Sequence, residues 1–236
     1  MKRYFTIIKT DLKNIFRDPS LFMILIVPVI ITALLFIGWP LLSNQWPIVV
    51  QYKPLILGAF CLISAAMPGM AISFVILDEK DENLIQTLHI LPISFSLIIR
   101  LRMTIIFLFG VIASTMMLLV SGMLTGNELK APLLAILASA IAPMSACIPA
   151  FMAKNKIEGM TWAKMLNFIM VLPLPAFFIQ GNFEYLFGII PSYWIYKSFI
   201  VIDNNFHFML FWTIGILYHA VLLFITFKWI EKVSLK

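Results

Sequence analysis

Charge is what this chain has least of. Asp, Glu, Lys and Arg make up 12% of its 236 residues, against about 25% in an ordinary soluble domain. Together with 62% hydrophobic residues and a mean hydropathy of +1.00, this excludes a soluble fold. No charge falls within 21–42, 54–77, 103–125, 131–153, 165–183 or 206–227, each close to the roughly 20 apolar residues that cross a bilayer as a helix. Cysteine is nearly absent. Cys61 and Cys147 both sit in apolar runs, which reads as two small hydrophobes and no disulfide framework or metal site. The first twenty residues are too polar and too long for a secretory signal, and no small-x-small cleavage site follows the first apolar run, so the N-terminus is expected to stay attached.

Several chemistries lack their residues. There is no G-x-x-x-x-G-K-[ST] loop to hold ATP phosphates, no H-E-x-x-H and no G-x-S-x-G. With no Asp, Glu, Lys or Arg inside any apolar run, a proton- or sodium-driven carrier is disfavoured. His219 is the one histidine deep in a run. A ligand or proton-carrier role is open to it, but a hydrogen bond to a neighbouring helix is the plainer expectation. The net charge of +6 comes from basic residues flanking the apolar runs, with no basic patch interleaved with aromatics, so nucleic acid is not an expected partner.

What is present reads as one all-α membrane domain over 1–236. Phe5, Ile8, Leu12, Ile15 and Phe16 share a face of residues 4–17, with Lys9, Lys13, Asn14 and Arg17 largely off it, an amphipathic helix expected to lie in the membrane plane. Arg17-Asp18-Pro19 breaks it, and the six runs above then serve as spans. Pro68-Gly69 in the second predicts a kink or small-residue packing, and Pro143 and Pro149 predict a bent fourth span. A polar loop is predicted over 154–164. Fourteen of the seventeen Lys and Arg fall on the side of both termini, 78–102 and 154–164, which puts those segments in the cytoplasm of a cell-membrane protein. On the other side, 185–190 and 193–202 are each too short to cross. They predict a re-entrant hairpin hinged at Pro191, with Tyr193, Trp194 and Tyr196 near the headgroups; an aromatic-rich interfacial loop is the alternative.

The polar stretch 78–102 organises the rest. Asp78 is placed to cap a short helix, with Glu79, Asp81 and Glu82 in its first turn, where the helix dipole favours negative charge. Leu84, Leu88 and Leu91 follow as one apolar stripe, and Pro92 ends it. The pattern does not say what the stripe touches, so docking against a soluble partner and lying on lipid headgroups both stand.

Glu79, Lys80, Asp81 and Glu82, then Leu88, Pro92, Ile93 and Ser94, resemble the loop joining the second and third spans of the type-2 ATP-binding-cassette (ABC) permeases. Asn83 and Leu84 stand where that family has Gly-Thr. The Arg17-Asp18-Pro19 break, the six spans and the outer hairpin extend the resemblance over the chain. E-K-D-E-N with the later K-N-K-x-E-G is similar to the fluoroquinolone or drug-export permease subgroup. The resemblance implies a non-catalytic subunit without a cofactor of its own, ATP being bound by a separate ATPase. In it Glu79, Asp81, Glu82, Leu84, Leu88, Leu91 and Pro92 would form the coupling helix that meets the ATPase. It also implies a second copy of the permease in the bilayer and a hydrophobic or amphipathic substrate between protomers. A membrane scaffold or immunity protein, and after it a secondary carrier, are the alternatives.

Overall fold

The computed structural model describes residues 2–82, 84, 95–179 and 181–234. All regular structure among them is helical: α1 (Lys2–Arg17), α2 (Pro19–Gln45), α3 (Lys53–Asp81), α4 (Phe95–Val120), α5 (Ala131–Ser139), α6 (Ala142–Met152), α7 (Lys156–Val171), α8 (Pro191–Ile200) and α9 (Asn205–Ser234), with short 3-10 turns between several of them. Six stretches are long and apolar enough to cross a membrane: α2, α3 with its preceding turn, α4, α5 with α6, α7 with the turn after it, and α9. The protein is a six-span, all-α membrane protein.

Span α3 is the axis. Four-fifths of its most apolar stretch is buried, against about a fifth for α2, α7 and α9, and α1, α2, α4, α6, α7 and α8 all pack on it. Burying apolar surface gains little in lipid, so close backbone approach has to hold such a bundle. Small residues supply it. A Cβ on Gly69 would lie 2.1 Å from the Ala142 carbonyl oxygen, and one on Gly110 would lie 2.9 Å from that of Ala65. The Ser145 hydroxyl meets the Ala66 carbonyl at 3.2 Å across the same α3–α6 seam. Of the two expectations for Pro68-Gly69, this is small-residue packing, and α3 runs unbroken through Pro68.

Several boundaries differ from the sequence expectation, each for a local reason. Residues 154–164 are not a loop, because α7 begins at Lys156. The Asn155 side chain accepts from the Glu158 N–H at 2.9 Å, and the Glu158 carboxylate accepts from the Lys154 N–H at 2.9 Å, a reciprocal helix start. The fourth span is not bent but broken. Pro143 cannot donate to the Ser139 carbonyl, so α5 ends there and α6 resumes at Ala142. Span α4 extends back to Phe95 and stops at Val120, shortly before Gly122 at φ +66°. Most consequential, Asp78, Glu79 and Asp81 are not in the first turn of a new helix but in the last turn of α3.

The α1 helix presents two faces. Asp11 and Ile15, one turn apart, are buried against the bundle, while Leu12 and Phe16 are exposed, as suits a helix resting in the interface. Asp18 then starts α2, its carboxylate accepting the Ser20 N–H at 2.8 Å with Pro19 in the first turn.

Candidate functional site at the charged end

Acids in the last turn of a helix meet the negative end of its dipole and need compensation. The fold brings it from two other elements, α7 and α4. Lys156, opening α7, pairs with Asp78 at 2.8 Å and with Asp18 at 3.5 Å, and its backbone N–H donates to Asp81 at 3.0 Å. One residue thereby ties the starts of α2 and α7 to the end of α3. Lys80 turns the other way and donates to the Ala153 carbonyl at the end of α6 at 2.6 Å. These groups are partly exposed, so each pair contributes about 1 kcal/mol or less.

Arg102 is different. Its side chain is 3% exposed and takes two carboxylates at once. Nε and Nη2 donate to Asp11 at 2.9 and 2.7 Å. Nη1 and Nη2 donate to Glu79 at 2.8 and 2.5 Å. The planar guanidinium is the cation that can serve two bidentate partners. Burial pushes the Asp11 carboxyl above its ordinary value, against the pull of Arg102. The triad joins α1, the end of α3 and the start of α4, which are the two roots of segment 82–94 and the helix beside them. A cleft of about 380 Å³, lined in part by Arg17, Asp18, Asp78, Glu79, Glu82 and Leu84, opens next to it.

The residues expected at this end separate accordingly. Glu79 belongs to the triad, Asp81 receives Lys156, Glu82 is exposed at the end of α3, and Leu84 is exposed. Leu88, Leu91 and Pro92 lie outside the described residues. Asp11 was missed. Its only signal was an acid one turn before Ile15 on a face otherwise apolar, facing an arginine within reach of the next span's start.

At the opposite end, a 3-10 stretch over Asn182–Ile189 and α8 meet at Pro191. They are pinned by Lys197–Glu184 at 2.6 Å and by the Trp194 indole donating to the Gly188 carbonyl at 2.9 Å. Tyr193 and Tyr196 are not at a headgroup surface. Both are fully buried in the protein, with Tyr193 stacked on Phe177 at 5.4 Å, because α8 packs its ring-bearing face on α3. His219 also differs from expectation. It bonds the Gly215 carbonyl of its own helix at 2.7 Å, not a neighbouring one. Among the described residues no cluster of His, Cys, Asp and Glu could hold a metal ion.

A family model, the Rv2686c-like fluoroquinolones export permease proteins, matches residues 11–227. The chain belongs to that family. Two relatives, the fluoroquinolones export permease proteins MT2760 of Mycobacterium tuberculosis (strain CDC 1551 / Oshkosh) and Rv2686c of strain ATCC 25618 / H37Rv, are each 27% identical over 228 residues, covering 93% of this chain and 90% of theirs. No solved structure matches. In this permease the matched stretch starts at Asp11 itself and so contains the whole Asp11–Glu79–Arg102 triad.

Proposed function

We propose that the chain is the non-catalytic membrane subunit of an ATP-driven exporter, working with a separate ATPase and a second copy of itself on an apolar or amphipathic molecule. Fluoroquinolones, named in its relatives, are the first compounds to test. The observation that carries the reading is the buried triad at the roots of segment 82–94, in a chain of an export permease family. A segment held only by exposed pairs would yield locally to a push. A segment whose two roots share one buried guanidinium moves α1, α3 and α4 together.

In this reading the charged end faces the cytoplasm, as the distribution of Lys and Arg supports. The ATPase contacts Glu82, Leu84, Leu88, Leu91 and Pro92, while Glu79 and Asp81 hold the end of α3 in place. The segment hinged at Pro191 dips into the membrane from outside, since neither half has the length to cross. The broad apolar faces of α2, α7 and α9 are left to lipid and to the second copy.

The test is affinity purification of the tagged permease from membranes of its own organism in a mild detergent. An ABC-type ATPase is expected to co-purify with wild type and to be lost from Leu88→Glu, with both chains equally inserted. Equal recovery of the ATPase with Leu88→Glu would place the contact elsewhere. Recovery of no ATPase with wild type would favour a scaffold.

A further inference from the structure

Helix α1 turns a different kind of surface to each of its four sides. At about 100° per residue, Asp11 and Ile15 share one side, buried against the bundle. Lys9, Lys13 and Arg17, each four residues from the next, form a row on the opposite side. All three are exposed, and none has an acidic partner among the described residues. Leu12 and Phe16, 43% and 63% exposed, lie between the two on one flank, with Thr10 and Asn14 on the other. Phe16 sets the depth of the helix, its ring packing on Phe22 of α2 at 5.6 Å. Phe22 opens a run that carries no charge from Leu21 to Leu42. Helix α1 therefore lies at the edge of the hydrocarbon, with Leu12 and Phe16 toward it. The cationic row stands at the level of the lipid phosphates and points away from the protein.

Charge and apolar surface together select what covers these two sides. A soluble acidic protein would supply negative charge but leave Leu12 and Phe16 in water. A zwitterionic membrane would cover both side chains and give the three cations no net countercharge. An anionic phospholipid supplies hydrocarbon and phosphate side by side, in the arrangement that α1 presents. We propose that anionic phospholipids seat α1, their phosphates along Lys9, Lys13 and Arg17, and that this seating holds Asp11 in its clasp with Glu79 and Arg102. Fixing the cationic row and the apolar flank fixes the rotation of α1 about its own axis, and so the direction in which Asp11 points. That direction is toward Arg102, 2.7 Å away. The surface charge of the leaflet thereby bears on the roots of segment 82–94. The transport reading does not include this partner, and the inference stands or falls without an ATPase.

The test compares the purified permease in nanodiscs of dioleoylphosphatidylcholine with nanodiscs in which about 30% is dioleoylphosphatidylglycerol, so that chain length is constant and only surface charge changes. Unfolding is followed with a thiol-reactive dye, since Cys61 and Cys147 are both buried until the chain opens. Wild type should melt about 4 °C or more higher in the anionic discs. That rise should fall by at least half in about 0.5 M salt, where screening acts over roughly 4 Å. Lys9→Gln with Lys13→Gln should lose at least half of the rise, and Lys9→Arg with Lys13→Arg should keep it. Lys228→Gln with Lys232→Gln, which removes the same charge from the end of α9, should keep it too. Asp11→Asn should lose most of the rise with the row intact, because an unclasped α1 no longer passes its seating to α3 and α4. No rise in wild type overturns the proposal and leaves the row to a protein partner. A rise indifferent to salt, one indifferent to Lys9→Gln with Lys13→Gln, or equal losses in the α1 and α9 pairs overturns it as well. A full rise in Asp11→Asn overturns the link to the triad.

Discussion

Replacing Arg102 with Met keeps an unbranched apolar stem and removes the guanidinium. Four charge-assisted hydrogen bonds disappear, and the carboxylates of Asp11 and Glu79, 8% and 13% exposed, are left facing each other. Breaking a buried pair from one side costs about 3–5 kcal/mol, because the remaining charge stays desolvated. For a chain of this size each 1 kcal/mol shifts the melting temperature by roughly 2–4 °C, so a drop on the order of 10 °C is expected in detergent. The pH dependence gives a second reading of the same defect. Burial already holds the Asp11 carboxyl above its ordinary 3.8, and without Arg102 nothing pulls it back. The folded state then binds its proton at higher pH than the unfolded chain does, so stability is regained as pH falls toward about 4 and lost as it rises. The deficit at neutral pH should therefore shrink at pH 5, and Asp11→Asn, Glu79→Gln and Arg102→Met combined should recover most of it. A shift below about 2 °C, or a deficit that does not vary with pH, would refute the buried-triad reasoning.

Gly69→Val should destabilise by about 3 kcal/mol or more, since its Cβ would start 2.1 Å from the Ala142 carbonyl oxygen of the facing backbone; a melting temperature equal to wild type would mean that α3 and α6 are not in contact there. Asp18→Ala should cost about 1 kcal/mol by removing the cap of α2. The Ser20 hydrogen bonds hold the Asp18 carboxyl below its ordinary value, so this contribution should be present above about pH 4 and fade in more acid solution, with the variant showing no such fading. Cysteines placed at Lys156 and Asn127 should react with impermeant maleimide from opposite sides of the membrane, 156 from the cytoplasm; labelling of both from one side would remove the span α5–α6.

Long uncharged runs made the six spans readable, because hydrocarbon leaves only the helix as a solution and the runs are of its length. Charge position was read less well. Asp78, Glu79 and Asp81 suit a helix start, and only tertiary partners, Lys156 and Arg102, make them tolerable at the end of α3. No local rule announces a partner 91 residues away, as Asp11 is from Arg102. The α7 start was locally legible, since Asn155 and Glu158 stand at capping-box spacing, but six polar residues in eleven suit a loop equally well. Tyr193 and Tyr196 read as interfacial because aromatic belts are common. Which side of an aromatic-rich helix faces protein depends on its neighbour, and here Gly58 of α3 leaves the room that the Tyr196 ring occupies.

The most direct test of the central claim is the ratio of substrate moved to ATP hydrolysed in proteoliposomes containing the permease and its co-purified ATPase, using a fluoroquinolone followed by its own fluorescence. Wild type is expected to accumulate the drug in inside-out vesicles only with hydrolysable ATP. Leu88→Glu, reconstituted with the ATPase recovered from the wild-type complex, should keep the drug-independent hydrolysis of the ATPase while transport per ATP falls at least tenfold. Transport that persists without ATP, or an unchanged ratio in Leu88→Glu, would contradict an ATP-driven permease coupled through the segment between α3 and α4.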